Sequence, residues 1–196
     1  MDVETLAAYD RDAAEFAKEW EQDQSPPVDL REIVTRFFGP GPTADIGCGS
    51  GRDTAWLHAN RHLAVGYDPS SGLLAQARRL HPEVEFHQDS LPELAGLADG
   101  SLANVLCETV IMHLEPAALA PALARLIAVL RPGGTLYLSW RVTPHHNRRD
   151  DHGRLYAAFD ADSVRNALAA ANVMLDEEST SASSGKTIHR IIARRY

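Results

Sequence analysis

The chain has 196 residues, of which 44% are hydrophobic, and 27 acidic side chains outnumber 19 basic ones for a formal net charge of −8. This composition predicts one globular domain whose core is large enough to fold without disulfides or a structural metal. The acidic balance argues against generic binding to nucleic acid or to an anionic membrane, because both attract basic surfaces.

The N-terminal segment lacks the basic start and apolar run of a signal peptide, and no apolar stretch is long enough to cross a bilayer. We therefore expect a cytoplasmic protein. Apolar side chains recur every three or four residues from Leu6 to Trp20, which predicts one amphipathic helix. A second helix is predicted over residues 29–38, and the Gly-Pro-Gly-Pro run at 39–42 ends it.

From residue 43 onward, short apolar runs alternate with helical patterns, which predicts a parallel sheet covered by helices on both faces. The last two strands have no helix between them, which predicts an antiparallel edge. The predicted strands comprise residues 43–46, 63–67, 84–86, 102–107, 136–140, 173–179 and 187–193. The predicted helices between them comprise residues 53–59, 71–80, 116–130 and 161–171. Residues 130–134 are predicted to form a helix stop and a tight turn.

Three alternating glycines, Gly47, Gly49 and Gly51, join the first predicted strand to the next helix. Such loops lie at the carboxyl ends of parallel strands, where open sheets bind ligands, and glycine lets a ligand approach the backbone closely. The G-x-G-x-G spacing differs from the dinucleotide fingerprint and from the P-loop pattern. Asp45 beside the loop would repel a pyrophosphate and favour a ligand with an ammonium group. A plain strand-to-helix turn is the structural alternative.

Two further carboxylates follow the next two strands. Asp68 can accept hydrogen bonds from both ribose hydroxyls of a nucleoside, although an Asp-Pro turn would also account for it. Asp89 can accept a hydrogen bond from an adenine amino group, although a solvated loop carboxylate is the alternative. The strand ends therefore predict a site for a nucleoside.

With these segments in this order, the sequence resembles the class I S-adenosylmethionine (SAM)-dependent methyltransferases over nearly the whole chain. The matching segments are residues 45–51, 67–68, 88–90, 104–115 and 130–134. The resemblance implies an α/β, Rossmann-like, doubly wound sheet of seven strands in the order 3-2-1-4-5-7-6, with strand 7 antiparallel. It also implies a single domain over residues 1–196.

By the same resemblance, residues 1–38 form an N-terminal helical lid, and residues 42–196 form a cofactor-binding core with a substrate loop near 141–156. SAM is the implied cofactor and S-adenosylhomocysteine its product. The glycine loop would pass under the methionine part of SAM, with Asp45 at its amino group. The implied cofactor-binding residues are Asp45, Gly47, Cys48, Gly49, Gly51, Asp68, Pro69, Asp89, Ser90, Leu91 and Glu108.

His113 and Glu108 are the catalytic candidates, because an imidazole or a carboxylate can remove a proton from the acceptor where the reaction requires it. Packing of the active-site loop is the alternative role for His113. A helix cap or a surface carboxylate is the alternative for Glu108.

The candidate substrate contacts lie on the first helix and after the fifth strand: Tyr9, Trp140, Arg141, His145, His146 and Arg148. Tyr9 would reach the cofactor or the substrate from the lid, or it belongs only to the apolar stripe of its helix. An arginine at 141, 148 or 154 would grip an anionic or polar substrate, whereas a solvated loop is the alternative. The histidines have no acidic partner at ligand spacing and predict no metal site.

The predicted function is methyl transfer from SAM to a small-molecule acceptor, because no module or basic face for RNA or protein docking is visible in the sequence. An RNA or protein methyltransferase, a nucleotide-dependent oxidoreductase and a non-catalytic SAM-binding protein are the alternatives. We expect no nucleic-acid or membrane partner, and a monomer or homodimer.

Overall fold

A computed structural model describes residues 1–143 and 146–196. Over these residues the chain builds a seven-stranded sheet and a separate two-stranded ribbon. The strands are β1 (Pro42–Ile46), β2 (Leu63–Asp68), β3 (Glu85–Gln88), β4 (Leu102–Cys107), β5 (Leu130–Arg141), β6 (Arg148–Arg149), β7 (Leu155–Tyr156), β8 (Ala171–Thr180) and β9 (Thr187–Arg195). The helices are α1 (Val3–Arg11), α2 (Ala13–Lys18), α3 (Val28–Phe37), α4 (Arg52–Ala59), α5 (Ser71–Leu80), α6 (Pro116–Ala128) and α7 (Ala161–Ala167).

The large sheet has the order β3-β2-β1-β4-β5-β9-β8. The pairs from β3 to β5 are parallel, and β9 pairs antiparallel with both β5 and β8. This confirms the predicted strand order, because the small β6–β7 ribbon only shifts the numbers of the last two strands. The carboxyl ends of β1, β2 and β4 therefore meet at one edge of the sheet, where the residues that follow them come together.

The core lies on both faces of the sheet, and β4 shows how the sequence divides between them. Every residue of β4 is buried, because the strand lies between β1 and β5 and is covered on both sides. Val105 packs in the larger core, which includes α6 and α7. Its neighbour Leu106 packs in the smaller core, with Leu30 of α3 and Leu57 of α4.

The N-terminal segment differs from the single predicted helix. Helix α1 ends at Asp12, whose φ of −107° and ψ of 21° leave the helical region. Helix α2 follows and continues into a π-helical turn, Glu19–Asp23. The break lets both helices contact α5, with Phe16 packed against Leu73, so tertiary packing outweighs the continuous helical pattern.

Two predictions were wrong in the second half of the chain, and two short strands were missed. Helix α7 ends at Ala167, and Ala171 already belongs to β8. Residues 130–134 are the first residues of β5 rather than a separate turn, because Leu130 pairs with Leu102 and the register then shifts. A bulge of this kind absorbs the turn without ending the strand. The ribbon strands β6 and β7 have two residues each, too few to produce a periodic signal.

Among the helices that the structure describes, none has both the length and the apolar character needed to span a membrane. Cys48 and Cys107 are both buried free thiols.

Candidate active site

A cavity of about 1000 Å3, counted to its open mouth, lies at the carboxyl ends of β1, β2 and β4. We call it the main cavity. It is lined by the glycine loop, by residues of the N-terminal segment from Met1 to Gln24, and by Arg141, Arg154 and Tyr156. The topology thus brings Asp45, the glycine loop and Asp68 together, but not Asp89.

The glycine loop is closely covered by side chains. Gly47 and Gly49 have φ values of +75° and +55°, in the left-handed region that favours glycine. A Cβ atom on Gly47 would lie 2.3 Å from Cγ2 of Val110, and one on Gly49 would lie 2.7 Å from the ring of Trp20. Both glycines therefore satisfy a conformational and a steric requirement. Gly51, with a φ of +87°, also meets both requirements, since its Cβ would lie 2.6 Å from Phe86, and it caps the start of α4.

Two buried carboxylates, Asp45 and Asp68, line the main cavity beside this loop. Asp45 accepts a hydrogen bond of 2.7 Å from the hydroxyl of Thr54. Asp68 accepts hydrogen bonds from the backbone N–H groups of Gly49 and Ser70, at 2.9 and 2.8 Å. Each Asp68 oxygen thus makes one of these bonds and keeps a lone pair for a ligand hydroxyl.

Burial, together with the neighbouring carboxylate of Asp53, raises the pKa of Asp45 to about 7. Burial also raises the pKa of Asp68 to about 6. A cationic ligand would offset the desolvation of these two groups and favour their ionised forms. The acid pair therefore fits a ligand that carries an ammonium group and hydroxyls.

The other predicted cofactor residues divide into two groups. Cys48 lines the main cavity, and burial raises the pKa of its thiol. Gly51, Pro69, Asp89, Ser90 and Leu91 lie beyond the residues that line it, so a cofactor role for these five stays a prediction.

The carboxylate of Asp89 binds its own loop. It accepts hydrogen bonds from the backbone N–H groups of Ser90 and Gly96, both at 2.8 Å. The carbonyl of Leu91 accepts a hydrogen bond of 3.1 Å from the N-terminal ammonium of Met1. These contacts hold the loop after β3 against the N-terminal segment.

Glu108 follows β4 directly and lines the main cavity. Its side chain accepts a hydrogen bond from the hydroxyl of Ser139 on β5, and burial raises its pKa. Arg52 also lines the cavity but is paired with Asp53 at 2.8 Å. The cation at this end of the cavity therefore already has a carboxylate partner.

His113 is buried in the cavity wall with both ring nitrogens engaged. Nδ1 lies 2.5 Å from the carbonyl oxygen of Leu155, and Nε2 lies 2.9 Å from the hydroxyl of Tyr9. Burial, together with the positive charges of Arg154 and Arg141, lowers the pKa of His113 to about 4. The neutral ring therefore donates from Nδ1 to the carbonyl and accepts from Tyr9 at Nε2.

The N-terminal segment covers the cavity through aromatic side chains. The ring centroids of Tyr9 and Trp20 lie 5.1 and 5.6 Å from that of Phe16. The segment is attached at its start by Asp2, which pairs with Arg149 of β6 at 2.8 Å. Tyr9 thus faces the cavity and also belongs to the apolar stripe, so both sequence interpretations describe part of its position.

The predicted substrate residues are not all brought together. Arg141 lines the main cavity, and Arg148 lies at a second cavity beside it. Trp140 is buried and stacks on His189, with 4.5 Å between ring centroids. His146 is exposed and lines neither cavity, and His145 lies outside the described residues.

The second cavity, which we call the side cavity, has a volume of about 670 Å3 counted to its mouth. It shares Arg141, Arg154 and Tyr156 with the main cavity and adds Arg148 and Lys186. The guanidinium carbons of Arg141, Arg148 and Arg154 lie 5.8, 5.3 and 5.9 Å from the centre of the Tyr156 ring. We call these three residues the arginine cluster.

Sequence reasoning missed Tyr156 and the serines of the β8–β9 hairpin, Ser181, Ser183 and Ser184, which line the main cavity. Tyr156 belongs to a two-residue strand that has no pattern of its own. The Ser-rich run before the last strand was the available signal for the hairpin. Within residues 1–143 and 146–196, no group of three or more His, Cys, Asp or Glu residues is placed to hold a metal ion.

Known proteins are similar to this chain in sequence and in fold. A family model described as a methyltransferase domain matches residues 44–134. Trans-aconitate 2-methyltransferase from Methylobacterium nodulans is 36% identical over 131 residues, which cover 65% of this chain and 48% of the relative. The chain spans about half the length of the curated relatives of this name.

Solved structures match the fold over the whole chain. A SAM-dependent methyltransferase from Anabaena variabilis has a TM-score of 0.75 at 17% identity, covering 100% of this chain and 96% of its own. The 1,6-didemethyltoxoflavin-N1-methyltransferase of Burkholderia thailandensis, with bound 1,6-didemethyltoxoflavin and S-adenosylhomocysteine, has a TM-score of 0.66 at 21% identity. It matches 100% of this chain and 90% of its own.

The sheet order is that of a Rossmann-like α/β protein, and the glycine loop and two strand-end acids line one cavity. Residues 44–134 match a methyltransferase domain, and the chain has the fold of the class I SAM-dependent methyltransferases. This confirms the resemblance found in the motifs. The cofactor of the family is SAM, and the buried Asp45 and Asp68 fit its ammonium group and ribose hydroxyls.

Proposed function

We propose that this protein transfers a methyl group from SAM to a small-molecule acceptor. The observation that carries the proposal is the composition of the main cavity. The same space is lined by the glycine loop with its buried acids and by Arg141 and Arg154. A methyl donor held by the acids and an acceptor held by the arginines would meet inside one cavity.

SAM supplies an electrophilic methyl group on a sulfonium centre. The protein's own residues supply position and environment. Asp45 and Asp68 bind the polar parts of the cofactor, and Tyr9 and Trp20 cover the site from the N-terminal segment. Because the positive charge on sulfur disappears during the reaction, a covered site with little water favours the transfer.

The N-terminal segment covers the site and so limits the size of the acceptor. The N-terminal segment lies across the glycine loop through the contact of Trp20 with Gly49 and the hydrogen bond of 2.7 Å that the Ser50 hydroxyl donates to the Glu21 carboxylate. We propose that residues 1–38 act as a lid on the core formed by residues 42–196. A lidded cavity suits a small molecule better than a base in a nucleic acid or a side chain of a folded protein.

The relatives support the same acceptor class. The curated relatives include trans-aconitate 2-methyltransferases, and the Burkholderia thailandensis structure holds 1,6-didemethyltoxoflavin. Trans-aconitate and 1,6-didemethyltoxoflavin are both small molecules.

The test has two stages. Calorimetry should first detect binding of SAM and of S-adenosylhomocysteine to the purified chain. A library of small-molecule metabolites, with RNA and peptide pools as separate arms, is then screened for release of S-adenosylhomocysteine. Release with small molecules supports the proposal. Release only with RNA or peptides, or binding of SAM without release in any arm, contradicts it.

A further inference from the structure

The side cavity is a concentration of positive charge next to the site of methyl transfer. Arg141, Arg148, Arg154 and Lys186 line it, and Asp150 is the acid among its lining residues. Arg141, Arg154 and Tyr156 line both cavities, so the arginine cluster borders each of them.

The protein neutralises only part of this charge. Arg154 is paired with Asp150, at 2.6 Å between Nη2 and Oδ2. Within residues 1–143 and 146–196, Arg141, Arg148 and Lys186 have no carboxylate within ion-pair distance. The Nε atom of Arg141 is buried and has no hydrogen-bond partner among the same residues. A buried guanidinium donor without a partner is costly, and an anionic ligand would satisfy it.

Ring stacking holds the cluster in place without using its hydrogen-bond donors. The guanidinium carbon of Arg148 lies 5.3 Å from the centre of the Tyr156 ring, and that of Arg154 also lies 4.6 Å from the ring of Phe16. Cation–π contacts of this kind orient a guanidinium group while leaving its N–H edge available in Arg141 and Arg148, whereas Arg154 donates to Asp150. The planar N–H forks match the geometry of carboxylates.

The groups beside the cluster are poorly suited to removing a proton from an acceptor. His113 donates from Nδ1 to the carbonyl of Leu155 and accepts from Tyr9 at Nε2, so neither nitrogen is free. Glu108 is engaged by Ser139 at the end of the cavity that contains the glycine loop. An acceptor that reaches the site already ionised needs no such base.

Resting on the proposed function, we propose that the acceptor is a small dicarboxylate or tricarboxylate and that the product is its monomethyl ester. One carboxylate faces the main cavity beside Arg141 and Arg154, and a second is bound in the side cavity by Arg148 and Lys186. An oxygen of the first carboxylate forms a bond to the methyl carbon while the bond between that carbon and sulfur breaks. The electron pair of the broken bond stays on sulfur. The ester and neutral S-adenosylhomocysteine result, and no proton is transferred.

Substrate charge provides the first test. The full chain is incubated with SAM and with succinate, fumarate, maleate or trans-aconitate, and each acid is compared with its monoamide. We expect S-adenosylhomocysteine and a base-labile methyl ester, identified by mass spectrometry, with the acids. The monoamide should have a KM about tenfold higher or more. Phosphate monoesters and phenols form the comparison arms.

A charge-matched pair of variants provides the second test. Arg148→Gln should raise the KM for the best dicarboxylate by about tenfold and leave the Kd for SAM and the KM for the monoamide within about twofold. Arg79→Gln removes the same charge from an exposed residue of α5 that contacts Gln76 and should change neither constant.

The outcomes separate this inference from the proposed function. Turnover of uncharged or phosphorylated acceptors, with neither turnover nor binding of any of these acids, overturns the inference but keeps the methyltransferase. Equal KM values for acid and monoamide, or an unchanged KM in Arg148→Gln, also overturn it. Failure of the chain to bind SAM overturns the proposed function itself.

Discussion

Two groups of residues that line the main cavity carry opposite charge. We call Asp45, Asp68 and the glycine loop its acidic end, and Arg141 and Arg154 its basic end. At the glycine-loop end, Asp45 and Asp68 are buried carboxylates whose pKa values are raised by burial. At the other end, Arg141 and Arg154 belong to a cluster of guanidinium groups that exceeds its acidic partners. Each end carries charge that the described part of the chain neutralises incompletely.

The contrast shows how one cavity can distinguish two ligands. The acidic end favours a cation and repels an anion, and the basic end does the reverse. A cationic cofactor and an anionic acceptor would each bind at the end that suits it. The net charge of −8 conceals this division, because a sum over the chain carries no information about position.

The largest expected effect comes from the backbone of the acidic end. Gly47→Ala places a methyl group 2.3 Å from Val110 in a residue with a φ of +75°. We expect the free energy of unfolding to fall by more than about 3 kcal/mol, because strain and overlap add, and SAM binding to be lost. Urea denaturation and calorimetry measure the two effects.

Gly133→Ala is the matched control for Gly47→Ala. Gly133 has a φ of +76°, and its Cβ would meet nothing within 4 Å. It should therefore lose only about 1–2 kcal/mol of stability, from strain alone, and keep its affinity for SAM. Equal losses in the two variants would show that the contact with Val110 is unimportant.

The next effect concerns pH. In the unfolded chain Asp45 ionises near the ordinary aspartate pKa of 3.8, but in the folded protein only near 7. The unfolded state therefore binds fewer protons between these values, and the stability of the ligand-free protein falls as pH rises. Asp45→Asn lacks this contribution and should gain on the order of 3 kcal/mol relative to wild type between pH 4 and pH 8.

Denaturant titrations at pH 4.5, 6 and 8 measure the gain of Asp45→Asn. Saturating SAM should reduce the pH dependence of the wild type, because its ammonium group favours the ionised carboxylate. Parallel stability curves for the variant and the wild type would contradict the burial argument.

Asp68→Asn tests the ribose contact with a smaller expected effect. The amide keeps the size of the side chain but removes the negative charge. It also replaces one of the two oxygens that accept hydrogen bonds from the N–H groups of Gly49 and Ser70 and would accept them from a ligand. We expect the affinity for SAM to fall by about 1–2 kcal/mol, measured by calorimetry. Asp99→Asn, which removes a carboxylate paired with Arg125 outside the cavity, should bind SAM as the wild type does.

The smallest effect is expected at the basic end, in His113→Gln. Burial and the nearby arginines hold the pKa of His113 at about 4, so the ring is neutral throughout pH 5–8. The wild-type kcat should show no ionisation near pH 6.5, and the variant should lose less than about tenfold in kcat. An inflection near pH 6.5 that disappears in His113→Gln would instead identify a general base.

The sheet and the acidic end were predictable because their signals are local. The loop at residues 47–51 and Asp68 each follow a strand directly, and parallel topology brings strand ends together. Tyr156 depends on distant pairing, since Arg148 and Arg149 of β6 pair with it and its neighbour Leu155 across a ribbon. No short pattern in the sequence indicates that arrangement.

Asp89 illustrates a second limit. Its position after β3 suits an adenine contact, but the backbone N–H groups of Ser90 and Gly96 take up its oxygens in the structure. A spacing rule identifies a carboxylate without specifying its partners. Only the conformation of the loop determines whether backbone or ligand is bound.

The position of β9 has a consequence for the synthesis of the chain. This strand lies between β5 and β8, although it follows both in sequence. Until residues 187–195 have been made, β5 presents an unpaired edge of backbone N–H and C=O groups, the kind of edge that associates with other chains. The sheet therefore closes late, and β5 stays open to association with other chains until β9 pairs with it.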